Sequence, residues 1–98
     1  MGRLKYYSMI PNDKPEWLLR LQMAISQRFG GEWEDSQYFW EDLKQFVIDE
    51  LWTMLDNRGC KAAIRSKVTI DLVTDEGKTV LHIKRNRIVV QTYWIEKD

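Results

Sequence analysis

The chain has 98 residues, 44% of them hydrophobic and 31% charged, and its 15 basic and 15 acidic side chains cancel. That is one domain's length with enough apolar material for a core, which excludes a disordered chain. The single cysteine, Cys60, excludes an intrachain disulfide, no apolar run reaches the roughly 18 residues of a membrane span, and the neutral total argues against a whole-protein attraction to nucleic acid or anionic membrane.

The expected organisation is one α+β domain over residues 1–98, cytoplasmic and without cofactor. The opening stretch has no signal-peptide core, and Tyr6 stands where a myristoylation motif wants Ser or Thr. Leu4 to Ile10 reads as a short extended segment, a candidate edge strand ended by Pro11. Asp13, Pro15 and Glu16 then form a helix start: a carboxylate cap, a proline tolerated in the first turn, and a reciprocating Glu. Leu18, Leu21, Ile25 and Phe29 recur at helical spacing, and Gly30-Gly31 stops the helix.

After a connector at Glu32–Asp35, Asp35 or Ser36 caps a second helix that runs to about Asn57, with Gly59 as the stop. Leu43, Val47, Leu51 and Met54 make one stripe, and Trp40, Ile48, Trp52 and Leu55 widen it. A helix apolar on so much of its circumference is central to the core or covered by a partner. Lys61 to Lys67 reads as a basic connector.

The period then switches to two over three runs, which predicts a three-stranded antiparallel meander. Two-residue turns at Glu76-Gly77 and at Arg85-Asn86 place Val68, Ile70, Leu72, Leu81, Ile83, Ile88 and Val90 on one apolar face. The other face then carries Thr69, Asp71, Val73, Val80, His82, Lys84, Arg87, Val89, Gln91 and Tyr93. The predicted fold is therefore two helices packed on a meander, in (β)ααβββ order. The last strand, rich in Val, Tyr and Trp, would offer a two-fold pairing edge if left open; monomer and dimer stay undecided.

Chemistry is sparse. The one histidine, His82, falls opposite Asp71 in this register, but no nucleophile is placed beside the pair; Ser66 and Cys60 lie on the connector. One Cys and one His cannot make a metal site, the acids do not follow calcium-loop spacing, and Gly30-Gly31 does not cradle a phosphate. The expectation is a protein that is not an enzyme.

Charge is unevenly placed. Residues 31–56 hold eight acids against Lys44, a net of −7, while residues 1–30 carry +3 and residues 57–98 carry +4. Five tryptophans are too many for the centre of so small a core, and aromatics dominate interface energetics. The first expectation is therefore a regulatory or inhibitor-like protein that binds a larger protein through an acidic, aromatic surface: Trp33, Glu34, Asp35, Tyr38, Trp40, Glu41, Asp42 and Asp49. Small regulators, immunity proteins and phage-encoded inhibitors of this size work so, an analogy from size and composition. Such an acidic surface could also imitate nucleic-acid charge. The alternative is nucleic-acid binding on the basic sheet face, through Lys67, His82, Lys84, Arg85, Arg87, Gln91 and Tyr93, by phosphate pairing and stacking.

Overall fold

The computed structural model describes residues 1–9, 16–57 (side chains to 54) and 67–97. The elements are β1 (Gly2–Ser8), α1 (Glu16–Arg28), β2 (Glu32–Trp33), α2 (Gln37–Asn57), β3 (Val68–Asp75), β4 (Lys78–Arg85) and β5 (Ile88–Lys97). The α+β class is as expected. The sheet is larger: five antiparallel strands in the order β2-β1-β5-β4-β3. The Asp13 cap, Pro15, Cys60, the Gly59 stop and the connector up to Ser66 lie outside the described residues.

The N-terminal segment is a full strand, and beyond Arg3 it forms an edge of the sheet among the described residues, as expected. It pairs with β5 from Gly2↔Lys97 to Ser8↔Gln91, and the two-residue β2, inside the expected connector, covers its first residues. The last strand is thus enclosed by β1 and β4, which removes it as a dimerisation edge.

The β3–β4 hairpin has the expected register. Ile70 faces Ile83 and Leu72 faces Leu81 around a turn at Glu76-Gly77, both at positive φ (51° and 79°). The β4–β5 register is corrected twice. The turn is Asn86-Arg87 (φ 55° and 68°), so Arg85 faces Ile88 and Lys84 faces Val89. Asparagine tolerates the left-handed region, which is why a primed turn starts there and not at Arg85. That shift of two keeps side-chain parity. A bulge then inserts one residue of β5 at the Ile83/Lys84 step, so that Ile83 faces Gln91 and Leu81 faces Tyr93. One extra residue reverses the faces beyond it. Gln91, Tyr93 and Ile95 therefore turn inward, and Thr92 and Trp94 turn outward. Ile88, expected in the core, is 67% exposed at the hairpin end.

Both helices cover the inner face. Leu18, Leu21 and Ile25 of α1 and Leu43, Val47 and Leu51 of α2 are buried against Ile70, Leu81, Ile83, Tyr93 and Ile95. Of the stripes expected from periodicity, Leu18, Leu21, Ile25, Phe29, Leu43, Val47 and Leu51 are buried and Met54 half-buried, while Trp52, expected to widen the second, is half-exposed. Phe29, Trp33, Phe39, Phe46 and Trp40 form an aromatic cluster at the α1–α2 corner, with ring centroids 5.1 to 5.7 Å apart.

Candidate functional site

Ser36 starts α2: its Oγ accepts from the Phe39 amide at 3.3 Å and its carbonyl accepts from the Trp40 amide at 3.2 Å. This sets the rotation of the helix. Trp40 points into the core, 2% exposed, and its Nε1 donates to Asp35 Oδ1 at 2.6 Å. Trp33 is half-buried in the aromatic cluster, its Nε1 donating at 2.9 Å to the Phe29 carbonyl at the end of α1. These two tryptophans, expected on the contact surface, serve the fold instead. Asp35 is exposed but spends one carboxylate oxygen on Trp40.

The remaining residues of the acidic set do converge. Tyr38 is 81% exposed, and Glu41, Asp42 and Asp49 are exposed beyond it. Tyr38, Asp42, Gln45, Asp49 and Trp52 recur at intervals of four and three, which puts them on one outward stripe about 21 Å long at 1.5 Å per residue. Trp52 is half-exposed at its far end. Gln37 donates to Glu41 at 3.1 Å and Gln45 to Asp49 at 2.9 Å, so neutral amides hold two carboxylates in place. Among the described residues, none of Glu34, Asp35, Glu41, Asp42, Asp49 or Glu50 forms an ion pair. Six carboxylates on one stretch without an ion pair among the described residues make an electrostatic surface suited to the opposite sign. Gln45 was not expected here, and Trp52, expected to widen the apolar stripe, belongs to this outward one. The 38-42-45-49-52 spacing carries the signal.

The basic set is dispersed. Gln91 is fully buried, and Tyr93, 1% exposed, donates its hydroxyl to Gln91 Oε1 at 2.7 Å. Neither reaches the open face. Burial, with Tyr6 beside it, pushes the Tyr93 phenol well above its ordinary value. Lys84 and His82 lie on the open face, but Lys84 Nζ is 3.5 Å from Asp71 Oδ2, so the carboxylate opposite His82 engages the lysine. Lys67, Arg85 and Arg87 are exposed at one end of the sheet, where the Lys67 carbonyl accepts from the Asn86 amide. The open face gains Lys5, Tyr7 and Trp94, which only the bulge reveals; Arg3 and Glu96 pair across it in register.

No protein-family model, curated protein or solved structure matches the chain. No described helix is long and apolar enough to cross a membrane.

Proposed function

We propose that this domain acts without catalysis, as a small regulatory or inhibitor-like protein that binds a larger protein through the outward face of α2. The observation that carries this reading is the stripe itself: Glu41, Asp42 and Asp49, exposed and without ion pairs among the described residues, aligned with the exposed Tyr38. Rigid aromatic surface supplies contact area, and unpaired charge supplies steering and partner choice. The partner surface would be basic with an apolar centre. A mimic of nucleic-acid charge is the special case in which that partner handles DNA or RNA.

The test is affinity capture with the tagged wild type and with Asp42→Lys/Asp49→Lys. These positions are exposed and outside the core, so the variant should keep its melting temperature. A partner held by wild type and released by the variant, with retention falling as salt rises, supports the reading. Equal recovery by both proteins removes α2 from the account.

The alternative, nucleic acid on the open sheet face, would rest on Lys5, Tyr7, Lys84 and Trp94 in place of Gln91 and Tyr93. A salt-sensitive shift of a labelled oligonucleotide that Lys5→Glu/Lys84→Glu abolishes would support it. No shift at low salt would end it.

A further inference from the structure

The sheet ends at β3. No strand lies on its far side among the described residues. The register says which backbone groups face outward there. In a two-residue hairpin the pair flanking the turn is hydrogen-bonded, here Asp75↔Lys78, and bonded and non-bonded pairs alternate from it. Asp75, Val73, Asp71 and Thr69 therefore bond to β4. The Lys67 carbonyl, which accepts from Asn86 at 2.9 Å, continues the same parity. Val68, Ile70, Leu72 and Thr74 point their N–H and C=O groups away from the sheet.

Natural edge strands are guarded by shortness, proline, lysine or bulges. β3 has eight residues, no proline or lysine, and an unbroken register. Its mid-strand charge, Asp71, is tied to Lys84. Such an edge is a template for strand addition.

What flanks the edge selects the occupant. Two clefts open along the seam between α2 and β3, with volumes of about 420 and 400 Å³. Asp35 and Glu41 border the first beside Leu72; Lys44, Ile48 and Trp52 border the second beside Ile70. An added strand would set alternate side chains against this helix and the others against Asp71 and Asp75. On the helix side the Asp35 and Glu41 carboxylates outnumber the Lys44 ammonium; on the other side Lys84 offsets Asp71 and Asp75 faces Lys78, so the helix side sets the charge preference. A second copy is disfavoured, because a two-fold axis on this edge would bring two acidic α2 helices together.

We infer that β3 accepts an extended segment of another protein, alternating apolar with lysine or arginine residues, as a sixth strand beside α2. The choice of charge rests on the α2 reading above; the pairing rests on the register.

Amide hydrogen exchange on the full chain tests this directly. In the free protein the amides of Ile70, Leu72 and Thr74 should exchange about 100-fold or more faster than those of Thr69, Asp71 and Val73. An octapeptide alternating valine or threonine with lysine should slow the first set. Its counterpart with glutamate for lysine should bind about tenfold or more weakly. Slow exchange of both sets in the free protein means that the edge is already covered and overturns the inference. So does protection that grows with protein concentration, which indicates a second copy. Equal binding of the two peptides, or effects away from β3, also overturns it. In affinity capture, Thr74→Pro removes one outward N–H from an exposed position of the edge without touching the ladder. A partner lost with Asp42→Lys/Asp49→Lys but kept with Thr74→Pro leaves the α2 reading standing and ends strand addition. The reverse pattern ends the α2 reading and keeps the edge.

Discussion

Asp35 belongs to the acidic segment by sequence and to the core by contact, and separating those roles is a quantitative matter. Its Oδ1 takes the indole N–H of Trp40 at 2.6 Å, and Trp40 is 2% exposed, so losing the carboxylate leaves a largely buried donor with only the solvent of the adjoining cleft to turn to. A hydrogen bond to a charged acceptor contributes about 1.5–3 kcal/mol, and stranding a buried donor costs about 1–3 kcal/mol. Because Asp35 itself is exposed, the lower part of that range applies, and Asp35→Ala should lose about 1–2 kcal/mol. For a domain of this size that is a fall of roughly 4–16 °C in melting temperature. Asp42→Ala, at an exposed position without a hydrogen bond or ion pair to a described residue, should stay within about 0.5 kcal/mol of wild type. Trp40→Phe removes the donor, so the cycle of Asp35→Ala, Trp40→Phe and the double variant should show a coupling of about 1 kcal/mol. Urea titrations followed by circular dichroism read these differences. A neutral Asp35→Ala, or no coupling, would refute the assignment and return Asp35 to the binding surface.

Other expectations follow from the same geometry. Leu43 is fully buried between α2 and the sheet, and Leu43→Ala should cost about 2–5 kcal/mol in urea unfolding, a large part of a small domain's stability. A Cβ on Gly2 would stand 2.5 Å from the Glu96 carbonyl oxygen and 2.8 Å from Ile95 Cγ2, so Gly2→Ala should destabilise by about 1–3 kcal/mol and speed exchange of the β1 amides. Arg87 holds a left-handed φ of 68° in its turn, so Arg87→Gly should be neutral to stabilising by up to about 1 kcal/mol, read as melting temperature. The Tyr93 phenol is raised by burial and then by Tyr6, so the folded state keeps a proton that the unfolded chain releases near pH 10. Its contribution is complete below about pH 10 and is lost above it at about 1.4 kcal/mol per pH unit until the folded phenol itself ionises. Alkaline unfolding of Tyr93→Phe should show a shallower slope.

Periodicity was enough for the helix stripes and for the β3–β4 hairpin, because both follow from local spacing and one tight turn. The β4–β5 half was not legible. Asn86-Arg87 lacks the glycine that advertises a primed turn, and a single bulged residue reverses every face beyond it. Tyr93 and Gln91 therefore read as surface while Trp94 read as nothing in particular. The enclosure of β5 by β1 is a pairing between the chain's two ends, which no window along the sequence can detect. The acidic surface was legible as charge, since charge needs no register. Its aromatics were not, because Trp40 differs from Tyr38 and Trp52 only by helix rotation, which the Ser36 cap sets, and Trp33 is drawn in by β2 and its bond to the Phe29 carbonyl.

Crosslinking can read which face of the domain touches its partner. A photo-crosslinking amino acid placed in turn at Tyr38, Gln45, Tyr7 and His82 samples α2 and the open sheet face in the same protein. A protein adduct should form from positions 38 and 45, suppressed by Asp42→Lys/Asp49→Lys, and none from positions 7 and 82. Adducts from 7 and 82 alone, or adducts to nucleic acid, would contradict the α2 reading.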